Sequence, residues 1–184
     1  GDPMLRPDFP AIYTRAKEKG LLVTVFTNGT LITREIRDLF ADLPPRAVEI
    51  SIYGAGPQTH DHITGVHGSF AKTMTGLDHL AGLGITTRLK TILMKLNVDE
   101  FFEMEKLARD RKMKFRFDAG LFPTLQGDKK PLKLRVSVEK AMELEFSDPN
   151  RIEEWKAYLS RVTSLPVTDS LYQCGAGRTH FHID

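Results

Sequence analysis

The 184 residues hold a single cysteine. That excludes a disulfide within the chain and any thiolate cluster built from these residues alone. Long apolar runs are missing too: none approaches the ~20 residues of a bilayer-spanning helix, and nothing at the opening reads as a secretory leader. Neither charge is in excess. Lys and Arg number 26 against 24 Asp and Glu, a formal +2 with the two signs interspersed, so no nucleic-acid face or membrane-surface helix is indicated. Low-complexity tracts and repeats longer than one β-α unit are also lacking. These absences lead to the expectation of a cytoplasmic protein with no nucleic-acid and no membrane partner. What remains, 41% hydrophobic and 27% charged, is ordinary globular composition and enough for a domain with its own core.

Helix and strand signals alternate along the first two thirds. Phe9, Ile12, Tyr13 and Ala16 recur at helical spacing, and Gly20 follows as a stop. Leu21 to Thr27 reads as a buried strand closed by Asn28-Gly29. Thr33 can cap a helix carrying Ile36, Leu39, Phe40 and Leu43, ended by Pro44-Pro45. Ala47 to Tyr53 is a second strand, Ser69 can cap a helix that stops near Gly82 or Gly84, and Thr86 to Met94 is a third strand. Asp99 opens a helix to about Arg111, and Lys114 to Asp118 is a fourth strand. The order αβαβαβαβ predicts an α/β fold, a partial TIM-like barrel with about four parallel strands and helices outside, joined by right-handed crossovers. The rhythm changes after Ala119. A Gly- and Pro-rich loop leads to two helices, Ser137 or Val138 to Phe146 and Arg151 to Val162, and then to an irregular tail. The expected divisions are a partial barrel over 1–121, a loop and helices over 122–163, and a distinct terminal segment over 164–184.

The stretch from Ala47 to Phe70 joins a period-2 strand, a glycine-broken loop and a helix entry, which is how an α/β barrel builds a ligand site at the C-terminal ends of its strands. Val48, Ile50 and Ile52 share one face; Glu49, Ser51 and Tyr53 share the other. The second face carries a carboxylate, a hydroxyl and a phenol, suited to a lumen or mouth. Gly1-Asp2-Pro3, Thr27-Asn28, Ser51 to Tyr53 and Asp118 to Leu121 all fall at strand ends and can converge.

Four segments carry a resemblance: Gly1 to Phe9, Thr27-Asn28-Gly29-Thr30-Leu31-Ile32, Ile50 to Phe70 and Cys174 to Asp184. In this order they resemble the radical S-adenosylmethionine enzymes, in the branch with a C-terminal SPASM extension, of which residues 164–184 would be the truncated start. The resemblance implies an oxidoreductase or maturase in which a 4Fe-4S cluster on a CxxxCxxC motif reduces S-adenosylmethionine, and the resulting radical takes hydrogen from a peptide or protein substrate. It further implies a one-electron reductant such as ferredoxin or flavodoxin. The three-cysteine motif, which lies upstream of Gly-Gly-Glu/Asp-Pro in the family, does not occur here. The expectation is therefore an internal fragment of a longer enzyme, inactive by itself.

Carried over position by position, the resemblance puts Gly1, Asp2 and Pro3 on the amino group of S-adenosylmethionine, with Asp where relatives commonly have Glu. Ser51 would contact the methionine carboxylate or the ribose, with Tyr53 beside it. Thr64 stands where many relatives carry a basic residue, so Lys90 or Arg88 on the next strand would supply the cation. Leu93 and Leu121 would flank the adenine, and Cys174 would ligate an auxiliary cluster that is incomplete within these residues. Asn28 would border the cofactor, although Asn-Gly after a strand also follows from turn geometry alone.

Other readings stand beside these. A loop Asp before Pro, a lumen serine bonded to backbone, a snorkelling Lys90 and core leucines are each ordinary structure. His60-x-His62, like His180-x-His182, could bind zinc or iron, and a metal-dependent barrel hydrolase using His60 and His62 is the alternative enzyme; without further ligands, loop histidines are solvated. A catalytically inert partial barrel is the non-enzymatic alternative.

Overall fold

In the computed structural model, residues 1–164, 177 and 179–182 are described. The chain divides into two units, Gly1–Val136 and Ser137–Asp184.

The first unit is built on one four-stranded sheet, β1 Thr24–Thr27, β2 Ala47–Ser51, β3 Thr87–Ile92 and β4 Lys114–Asp118, in sequential order and parallel throughout. α1 Phe9–Glu18 precedes β1, and between the strands run α2 Arg34–Asp42, α3 Pro57–Thr64, α4 Ser69–Leu80 and α5 Phe101–Asp110. Register-matched residues in neighbouring parallel strands lie on the same face, so the ladder sorts the side chains into two sets. Val25, Val48, Ile50 and Leu89 form a core with Tyr13 of α1, Ile36 and Phe40 of α2, Leu77 and Leu80 of α4, and Met104 and Ala108 of α5. The helices thus cover the apolar face. The opposite face carries Phe26, Glu49, Ser51, Arg88, Lys90, Arg116 and Asp118. This is the partial barrel that the αβ rhythm predicts, with its polar side turned to the lumen.

Differences from the sequence reading have local causes. β1 begins at Thr24 rather than Leu21 because Leu21 and Leu22 lie outside the ladder, exposed by 40% and 77%. Residues 57–64, read as loop, form α3: Pro57 sits in its first turn, where a missing N–H costs nothing, and Gly65 ends it at φ 69°. Ser69 does not cap α4. It is the first helical residue, and Asp61 does the capping from seven to nine residues upstream. The helix expected from Asp99 starts instead with a 3-10 turn, Val98–Glu100, before α5.

In the second unit, Ser137 caps α6 Val138–Glu145 by accepting from the Lys140 N–H, and Asp148 likewise opens α7 Pro149–Thr163. Arg151 ties the two helices together through the carbonyls of Leu144 and Glu145. Trp155, Tyr158, Leu159 and Val162 are all exposed. No helix among the described residues is long and apolar enough to cross a membrane.

Candidate functional site at the mouth of the sheet

The polar face is arranged in lateral rows. One row joins Phe26, Glu49, Arg88 and Lys114; the next, one pleat nearer the strand ends, joins Ser51, Lys90 and Arg116; Ile92 and Asp118 close the ladder. In the lower row, Arg88 donates to Glu49 at 3.1 Å, and the Glu49 carboxylate is nearly buried. Arg88 is therefore partly spent in an internal pair. Lys90 lies 6.0 Å from the centre of the exposed Phe26 ring and makes no ion pair among the described residues. The hydroxyls of Ser51 and Tyr53, both half-buried, also have no hydrogen-bond partner among the described residues. Three groups able to hold a ligand thus gather near one strand end with their capacity unspent.

Asp2 is used differently from the expectation that its carboxylate receives a ligand's amino group. Its Oδ2 accepts from Thr27 Oγ1 at 2.6 Å and the Asn28 N–H at 2.8 Å, while Oδ1 accepts from the Met4 N–H at 3.1 Å. A carboxylate has about four lone-pair directions, so one remains. The side chain clamps the opening segment onto the end of β1, where the Asp2 and Pro3 carbonyls accept from the Leu5 and Arg6 N–H groups and Gly1 is exposed. Asn28 closes a local turn, its Oδ1 accepting from the N–H and hydroxyl of Thr30, while its carbonyl accepts from Thr73 of α4. Leu93 is fully enclosed and offers no surface to an adenine; Leu121 is half-buried, with its carbonyl held by Arg135. Thr64 closes α3, hydrogen-bonded to Ser69 Oγ and the Asp61 carbonyl, and projects no charge. Cys174 lies outside the described residues, as does the start of the segment around it.

The loop from Tyr53 to Gly56 is held by groups that sequence reasoning missed. His60 is buried, and its Nδ1 accepts from the Tyr53 N–H at 3.2 Å. Glu100 accepts from the Ala55 N–H at 2.7 Å and from the Thr59 hydroxyl, bridging the β2 exit to the β3 exit. Asn97, also buried, accepts from the Met94 N–H and donates to the Ile92 carbonyl, fixing the end of β3. No local sequence pattern announces this contact; it forms because Pro57 opens a helix whose first turn brings His60 back over the β2 exit. The expected solvated loop histidine is corrected accordingly. His62 is exposed, and among the described residues no three His, Cys, Asp or Glu side chains gather to hold a metal.

Burial lowers the pKa of His60, partly offset by Asp61. Protonation would turn the Nδ1 acceptor into a donor facing the Tyr53 N–H. The unfolded chain, with an ordinary imidazole, therefore binds more protons below about pH 6.5, and stability is full above that value and declines as pH falls toward the lower folded pKa. Between pH 7.5 and 5.5 the melting temperature should fall more in the wild type than in His60→Asn, whose amide oxygen still accepts. Parallel curves from thermal scans would contradict the assignment. Asp61, whose pKa is lowered by the Phe70 and Gly68 N–H groups and Ser69, adds a similar loss only at far lower pH.

As a donor set, the Ser51 hydroxyl, Tyr53 phenol and Lys90 ammonium suit a ligand with a carboxylate and a ribose, so these residues fit S-adenosylmethionine. They do not fit an iron-sulfur cluster, which needs several thiolates, and one cysteine is all these 184 residues contain.

The profile of the Radical SAM superfamily matches residues 1–110. An AdoMet-dependent heme synthase of Methanosarcina barkeri is 32% identical over 128 residues, covering 70% of this chain and 37% of the relative. The mycofactocin maturase MftC of Mycobacterium tuberculosis is 27% identical over 190 residues, covering the whole chain and 48% of the relative. Among solved structures, Streptococcus suis SuiB superposes with a TM-score of 0.65 over 88% of this chain and 35% of its own, at 15% identity; it is also known bound to S-adenosylmethionine and to the precursor peptide SuiA. At that identity the likeness speaks to the fold. The chain spans under half the length of each of these proteins.

Proposed function

Because the chain belongs to the Radical SAM superfamily, we propose that its polar sheet face holds S-adenosylmethionine in a SPASM-type enzyme that takes hydrogen from a peptide or protein. S-adenosylmethionine, once bound and reduced, supplies the hydrogen-abstracting radical. The observation that carries the reading is the set of unspent groups, Ser51, Tyr53 and Lys90, beside the clamped Asp2 segment. Ser51 donates to the methionine carboxylate or a ribose oxygen. Lys90 supplies the positive charge that Thr64 lacks, in preference to Arg88, which already pairs with Glu49. The Gly1 carbonyl, with the second lone pairs of the Asp2 and Pro3 carbonyls, receives the amino group, and the Asp2 side chain holds that backbone in place. His60 and Glu100 keep the Tyr53 loop at one height above the sheet. The cluster's thiolates, and the thiolates for an auxiliary cluster beyond Cys174, would come from residues outside these 184.

The peptide or protein substrate is supported by the maturase relative and by the SuiB complex. A second reading, a tetrapyrrole substrate, has its own support in the 32% identity to a heme synthase.

In the full-length enzyme, Ser51→Ala should weaken S-adenosylmethionine binding about five- to tenfold, the scale of one hydrogen bond to a charged group. Equilibrium dialysis or calorimetry measures this directly. An unchanged dissociation constant would make Ser51 structural and remove the main support for this placement.

A further inference from the structure

We propose that Arg116 is an anchor for a carboxylate group of the substrate, held in the lumen beside S-adenosylmethionine; this rests on the reading of the polar face given above. The argument begins with the contrast between two rows. In the lower row, Arg88 is neutralised by Glu49 at 3.1 Å. In the upper row, Lys90 and Arg116 are register partners on adjacent parallel strands, and neither makes an ion pair among the described residues. Like charges placed side by side on one face of a sheet repel; Arg88 and Lys114 of the lower row have Glu49 beside them as counter-charge, whereas no acid is a register partner in the upper row, which is unfavourable unless an anion lies over it.

The same row says which anion each takes. Ser51 is the register partner of Lys90, and Lys90 that of Arg116. Strands stand about 4.8 Å apart, so Arg116 is rooted about 10 Å from Ser51. A methionine carboxylate held by Ser51 and Lys90 leaves Arg116 one strand further along. It is exposed on the open side, and its nearest acidic neighbour on that face, Asp118, accepts from the Gly120 N–H instead. A planar guanidinium matches a carboxylate with two parallel hydrogen bonds. The ligand is thus a substrate bearing a carboxylate, either an acidic peptide or a carboxylated small molecule.

The test uses the full-length enzyme with S-adenosylmethionine bound, as wild type, Arg116→Met and Arg116→Lys. The probes are a glutamate-containing peptide with its glutamine counterpart, and a tetracarboxylate porphyrin with its methyl ester. At least one acid probe should bind better than its neutral counterpart. That preference should drop about tenfold in Arg116→Met and return in part in Arg116→Lys, with S-adenosylmethionine affinity unchanged within about twofold. Which acid binds identifies the source of the carboxylate. No acid preference in the wild type, or an equal loss of S-adenosylmethionine and probe in Arg116→Met, would overturn the assignment. If the wild-type enzyme failed to bind S-adenosylmethionine at all, the underlying reading would fall instead.

Discussion

Incubated anaerobically with iron, sulfide, dithionite and S-adenosylmethionine, the 184-residue chain should release no 5′-deoxyadenosine above a no-enzyme blank. The reason is ligand arithmetic. Reductive cleavage needs a cluster held by three cysteine thiolates with one iron left open, and Cys174 is the one thiol in these residues. The histidines do not substitute, because His60 is buried with Nδ1 engaged and no three candidate ligands meet among the described residues. A full-length relative serves as the positive control in a chromatographic assay. Product above the blank would show that cluster chemistry can be assembled without the expected motif, and the reading of the site would have to be rebuilt.

Gly76→Ala should be the most damaging single-atom-scale change in the first unit. By helix propensity alone the substitution would stabilise, by up to about 1 kcal/mol. Packing decides the other way. A Cβ at Gly76, in the middle of α4, would sit on the carbonyl oxygen of Gly29, with Ile32 Cβ another 3.3 Å away. Backbone cannot give way like the end of a flexible side chain. Gly29 itself is held at φ 79° directly after the Asp2 and Asn28 contacts. We expect a loss of about 3 kcal/mol or more, the range of severe overpacking, read as a large fall in the denaturant midpoint. Because the displaced loop carries Asn28, S-adenosylmethionine binding in the full-length enzyme should suffer as well. A midpoint within error of the wild type would mean that α4 can slide outward without consequence.

The order of elements was legible because each rests on short-range signals: the alternation of Val48, Ile50 and Ile52, the Thr33 and Ser137 caps, and the glycines after helices. The family was legible from motifs. What sequence alone did not show was how side chains are spent. Glu49 and Arg88 alternate as expected of a lumen face, yet only their register across β2 and β3 makes them a pair and leaves Lys90 unmatched. Asp2 is expected to receive a ligand's amino group and Asp61 carries no expectation, yet each organises distant backbone, Asp2 at Asn28 and Asp61 at the start of α4. Glu100 reaches Ala55 across 45 residues, a contact that no local pattern announces. Leu93 was placed at the mouth by its position in the chain and is enclosed instead, since alternation turns it to the helix side.

The crossover from β2 to β3 carries two α-helices where those from β1 to β2 and from β3 to β4 carry one each. Loop-closure entropy grows only logarithmically, so a doubled connection adds about 0.6 kcal/mol to the cost of pairing those strands. The inserted piece, α3, is fastened by three side chains, His60, Asp61 and Glu100, and adds no strand to the ladder. A segment that borders the proposed ligand site, yet contributes nothing to the sheet's hydrogen bonding, can be lengthened, shortened or rewritten while the scaffold keeps its register. In evolutionary terms α3 is where one barrel could be refitted to new substrates with the fewest compensating changes elsewhere.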